Sequence, residues 1–122
     1  MLMNTNEYLD IVNTIKNNIR SAQYKVSVSA NRELILLYWN IGNVINAHKS
    51  WGDKFIDNLA RDIKLDFPDI KGFSVRNLKY MSKFASVYTD KEFVQTVSAQ
   101  IPWSHNIAIL EKVTDSGVRF GI

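Results

Sequence analysis

The sequence predicts an all-α fold, a bundle of five or six helices. Apolar residues recur at three- and four-residue steps almost throughout. Glycine and proline number only five and two and sit singly where that pattern breaks. The one stretch with a strand-like period, Tyr24 to Ala30, is too short to imply a sheet. A chain of 122 residues has room for one domain. Its 46% hydrophobic and 22% charged residues exclude wholesale disorder. The expected division is a single helical domain over 1–114 and a loose tail over 115–122, which holds two of the glycines.

A first helix is expected because Tyr8, Ile11, Val12, Ile15, Ile19 and Ala22 fall on one face. Tyr24, Val26, Val28 and Ala30 are read as its tail. A second helix is expected over about 31–47. Leu34 to Trp39 is apolar all round, which predicts the buried centre of the domain. Gly42 within it costs about 1 kcal/mol relative to alanine, so a close helix crossing is expected there. A turn over 48–52 leads to a third helix, Asp53 to Asp66, with Phe55, Ile56, Leu59, Ala60 and Ile63 inward. Asp53 suits the positive end of its dipole, and Phe67-Pro68 stops it. A fourth helix spans Ser74 to about Tyr88 with Ser74 as its N-cap. A fifth piece covers Lys91 to about Ala99, and a last helix is capped by Ser104 and reaches about Thr114.

The fourth helix carries the functional signal. Leu78, Met81, Phe84, Ala85 and Tyr88 gather on one side, and Arg76, Lys79, Tyr80 and Lys83 on the other. Between Lys71 and Thr89 every charge is positive. Helices three and four, joined by a short glycine-containing connection, have the outline of a helix-turn-helix, whose second helix enters the major groove. Lys71, Ser74, Arg76, Lys79, Tyr80 and Lys83 are therefore the expected DNA-binding residues, contacting mainly phosphates. A formal charge of +3 suits such a partner. Any amphipathic helix has a solvated polar face, however, so this pattern by itself is equally that of a helix with no ligand.

Other chemistry is poorly served. The absence of cysteine excludes disulfides, thiol catalysis and cysteine-ligated metals. The two histidines, His48 and His105, lack metal-ligand spacing, and His105 is expected to cap or to hydrogen-bond in the core. Asp62-Ile63-Lys64 and Asp69-Ile70-Lys71 match the acid-x-lysine piece of metal-dependent nucleases. That chemistry needs a strand to present its carboxylates, and these lie in a helix and a turn. No catalytic residue, cofactor or metal is expected. Trp39, Trp51 and Trp103 read as core or junction fillers. The alternative to nucleic-acid binding is a homodimerisation or protein–protein interaction module, suggested by these tryptophans and the apolar second helix. No membrane span or secretory leader is visible, and a cytoplasmic location is expected.

Three segments resemble a known family. They are Asn31 to Gly42, Trp51 to Met81 with its Gly72-Phe73-Ser74-Val75-Arg76-Asn77-Leu78 string, and Ile101 to Asn106 with Pro102-Trp103-Ser104-His105-Asn106. Together they look like the N-terminal domain of the YhcG-like family, a domain of unknown function associated with PD-(D/E)XK nucleases. The resemblance covers about residues 8–113. It implies a helical, DNA-binding module that precedes a C-terminal nuclease domain. After Val113 this sequence runs only Thr-Asp-Ser-Gly-Val-Arg-Phe-Gly-Ile. None of the family's catalytic positions can be carried over, and the expectation is of a non-catalytic domain.

Overall fold

The computed structural model describes the backbone of residues 5–119, with the side chains of all but Asp53 and 113–119. It is all-α, with no strand among the described residues. Five α-helices follow one another: α1 (Thr5–Ala47), α2 (Asp53–Asp66), α3 (Val75–Val87), α4 (Lys91–Thr96) and α5 (Trp103–Arg119). Short 3-10 turns at Lys49–Trp51 and Ser98–Gln100 link α1 to α2 and α4 to α5.

The expected first and second helices are one continuous rod of 43 residues. Neither glycine nor proline occurs before Gly42, so nothing local breaks the helix, and the alternating Tyr24 to Ala30 stretch is helical. α2 keeps the expected limits and ends where Phe67, non-helical before Pro68, donates its N–H to the Ile63 carbonyl at 2.8 Å. Ser74 caps α3, its hydroxyl oxygen accepting from the Asn77 N–H at 3.1 Å. The fifth piece divides into α4 and a 3-10 turn. α5 starts one residue before Ser104, so Ser104 lies inside it rather than at its cap. It also continues through Arg119, so residues 115–119 of the expected loose tail are helical. Residues 120–122 lie outside the described residues.

The core forms where α3 lies along the second half of α1. One cluster joins Ile35 and Trp39 of α1 to Phe84 and Ala85 of α3, Val94, Ala99 and Leu110. The other joins Tyr38 and Ile45 to Ile56, Leu78 and Met81. Trp103 packs against both, edge-on to Tyr38 at 4.9 Å and to Phe84 at 5.2 Å between ring centroids. Gly42 is the close crossing expected. A Cβ there would overlap the Met81 carbonyl oxygen and lie 2.9 Å from the Ala85 Cβ. Gly72, at φ 96°, lies against the Tyr38 hydroxyl, so it needs both positive φ and a missing side chain.

The expectation that Leu34 to Trp39 is wholly buried is corrected. Ile35, Tyr38 and Trp39 are buried, but Leu34 and Leu37 remain 38% and 46% exposed. Only one side of α1 meets the other helices, so its opposite side keeps its apolar residues in water. The first-helix stripe is real as a face, yet it too is uncovered: Tyr8, Ile11, Ile15 and Ile19 are all about half exposed.

Two tests follow from this packing. Gly42→Ala forces the α1–α3 backbones apart, and thermal or urea denaturation should show a loss of about 1–3 kcal/mol or more. Burial raises the Tyr38 phenol pKa above the ordinary 10.0. The stability held by neutral Tyr38 is therefore complete below pH 10.0 and declines as pH rises toward its higher folded value. Denaturation midpoints between pH 8 and 11 should fall less in Tyr38→Phe than in the unmodified protein.

Candidate nucleic-acid interface

The α3 face opposite the core is the expected cationic one. Its rotation is set from behind: Leu78, Met81, Phe84 and Ala85 are buried against α1, which turns Arg76, Lys79 and Lys83 outward. Arg76 and Lys79 are exposed and Lys83 is half-buried. With Val75 and Tyr80 they line an open cleft of about 500 Å³. No ion pair among the described residues engages any of the three. The one recorded, Arg61 to Asp62 at 3.8 Å, is exposed on α2 and worth little.

Tyr80 is not free in the way the sequence suggested. Its hydroxyl donates to the Glu111 carboxylate of α5 at 2.7 Å. The Arg76 guanidinium donates to the Tyr80 oxygen at 3.4 Å and lies over its ring, 5.6 Å from the centroid. The Tyr80 hydrogen bond raises the Arg76 pKa further above its already high value, with the charges of Tyr80 and Glu111 adding to it. Arg76 is thus a fixed cation, steered by Tyr80, with one carboxylate at the edge of the face.

Lys71 is exposed in the connection between α2 and α3, and the Ser74 oxygen is engaged in the cap. Lys71 and Ser74 share a cleft of about 630 Å³ with Arg61 and Lys64 of α2, two cations not among the expected DNA-binding residues. Their three-residue spacing on the outer side of α2 was the available signal. Asp57 also lines this cleft, so its charge is mixed.

The acid-x-lysine pieces form no site. Asp62 and Lys64 are exposed on α2, and Asp69 and Lys71 on the connection. Among the described residues no group of three His, Cys, Asp or Glu side chains could hold a metal. No helix among them is long and apolar enough to cross a membrane. His105 is exposed, and the capping or core role expected of it falls to its neighbour Asn106. Trp51 is 59% exposed and stacks on His48 at 4.3 Å.

The family model described as the DUF1016 N-terminal domain matches residues 14–120. The chain belongs to this family. The match agrees with the YhcG-like resemblance read from the three segments. No curated protein and no solved structure matches the chain.

In this DUF1016 domain the strings that carry the resemblance hold fasteners around the α3 face. The Asn77 side chain accepts from the Trp103 indole N–H at 2.8 Å and donates to the Gly72 carbonyl at 2.6 Å. Buried Asn106 donates to the carbonyls of Ser98, Ile101 and Pro102 at 3.0–3.2 Å. Asn31 donates to the carbonyls of Ala99 and Ile101. Each asparagine ties carbonyls of an irregular segment to a helix.

Asn77→Ala leaves the half-buried Trp103 N–H without its acceptor and should destabilise the domain by about 1–3 kcal/mol in urea titration. Asn77→Asp keeps the acceptor for Trp103 but sets a carboxylate oxygen against the Gly72 carbonyl oxygen, so its midpoint should also fall below that of the unmodified protein.

Proposed function

We propose that this DUF1016 N-terminal domain binds duplex DNA through the outer face of α3. It would act as a non-catalytic targeting module for a nuclease domain of the kind the resembled family carries. The observation that supports this best is the trio Arg76, Lys79 and Lys83 on one solvent-facing side of α3, with no carboxylate in ion-pair contact among the described residues. A helix with three cations at three- and four-residue steps, none of them ion-paired among the described residues, presents donors along one line, which suits consecutive phosphates.

The order α2, connection 67–74, α3 supports a helix-turn-helix-like presentation, with α3 as the reading helix and Lys71 beside the backbone. Tyr80 serves by holding Arg76 in place rather than by donating to phosphate, its hydroxyl being hydrogen-bonded to Glu111. Glu111 itself opposes phosphate on that flank. The cations of the α2 cleft, Arg61 and Lys64, extend the positive surface past Lys71.

Fluorescence anisotropy of a labelled duplex across about 50–200 mM salt tests this reading. Log affinity should fall linearly with log salt, and Arg76→Ala/Lys79→Ala/Lys83→Ala should reduce that slope by about 2–3 units. Glu111→Gln should tighten binding. An unchanged slope in the triple variant disposes of the α3 face.

A further inference from the structure

The first part of α1 is open to water. From Thr5 to Ser27 every side chain except Val12 is exposed, and α1 joins the bundle at Asn31 through its bonds to Ala99 and Ile101. The segment contains several asparagines and β-branched residues, which are mediocre helix formers. A lone helix of this kind is marginal in water.

Six of its apolar residues nevertheless keep a regular spacing, with Leu9, Ile11 and Tyr24 outside it. Tyr8, Val12, Ile15, Ile19, Ala22 and Val26 follow at steps of four, three, four, three and four, the alternation of a two-stranded coiled-coil seam. At 100° per residue the centre of this stripe lies roughly 150° around α1 from Ile35, Tyr38, Trp39, Gly42 and Ile45, the residues that meet the bundle. Whatever covers the stripe therefore approaches from the side opposite α3. Ser29 and Glu33 occupy the next two positions of the spacing, so the stripe ends where the bundle begins.

We propose that the Thr5–Ala30 segment pairs antiparallel with the same segment of a second copy of this chain. The stripe is its own mirror image along the sequence. Turned end for end about Asn17, Tyr8 meets Val26, Val12 meets Ala22, and Ile15 meets Ile19. The segment 5–30 is centred within about half a residue of Asn17, so two copies overlap along it, about 39 Å each, and carry their bundles at opposite ends. Charge selects the same direction. Glu7 and Asp10 lie toward one end, and Arg20 and Lys25 toward the other. Antiparallel pairing sets Glu7 of each copy near Lys25 of its partner, both on the same flank of the seam, while Asp10 lies roughly 160° around the helix from the seam. Lys16 approaches its copy near the twofold axis, on the flank, where its stem can carry the ammonium to water. This inference does not depend on the reading of α3.

Light scattering of the full chain over about 5–500 µM should give twice the 14.0 kDa chain mass at the upper concentrations. Ile15→Asp/Ile19→Asp should give the single-chain mass with an unchanged unfolding transition of the bundle, which neither side chain touches. The chain has no cysteine, so direction is read by oxidising single-cysteine variants. Tyr8→Cys mixed with Val26→Cys should yield a disulfide between unlike copies, and Tyr8→Cys alone should stay unlinked. A single-chain mass for the unmodified protein at every concentration, a double-aspartate variant that still pairs, or Tyr8→Cys linking to itself overturns the proposal.

Discussion

The approach of α3 to α1 at Gly42 is the constraint from which the rest of the architecture follows. With hydrogen in place of a side chain, the Met81 carbonyl comes against the α1 backbone, and the two helices approach closely enough for both core clusters to close. Dispersion and apolar burial reward such contact only at full packing density. The same crossing decides which side of α3 is sealed and which is left to water. The cationic face is thus a consequence of backbone proximity on the far side of the helix.

Around that crossing the irregular segments are held by side-chain amides and indoles. Trp39 donates to the Tyr88 carbonyl at 2.6 Å, closing the C-terminal end of α3. Asn46 of α1 donates to the Ser82 carbonyl and accepts from the Ser82 hydroxyl, so α3 is pinned at its middle as well. With Asn77 near its start, α3 is fastened at three levels. No buried side-chain nitrogen or oxygen lacks a partner among the described residues. Satisfying these groups removes a penalty of about 1–3 kcal/mol for each one left unpaired, and it fixes the helix that the proposed DNA contact needs rigid.

The two surfaces that the bundle leaves uncovered differ in chemistry. The α3 face is cationic and steered by Tyr80, which fits a polyanion. The exposed half of α1 carries an apolar stripe, the surface proposed to pair with a second copy. A dimer held through α1 would carry two α3 faces in one assembly, and paired contacts raise affinity through effective concentration when both sites can be reached together.

Much of the fold was legible because its signals are local. The limits of α2, the Ser74 cap and the need for a close neighbour at Gly42 all rest on interactions within a few residues or on glycine's missing Cβ. The cationic residues of α3 were legible for the same reason, since helical spacing sorts them from Leu78, Met81 and Phe84. The fate of the α1 stripe was not, because a helical period shows that a face exists without showing what covers it. Nor was the Glu111–Tyr80–Arg76 chain, which joins residues far apart in sequence. By itself, then, the sequence determined helix periodicity, caps and the distribution of charge, all of which are encoded by neighbours along the chain. Only the tertiary structure decided which apolar faces are buried and which polar groups are paired, because burial and hydrogen bonding depend on distances through space that local spacing leaves open.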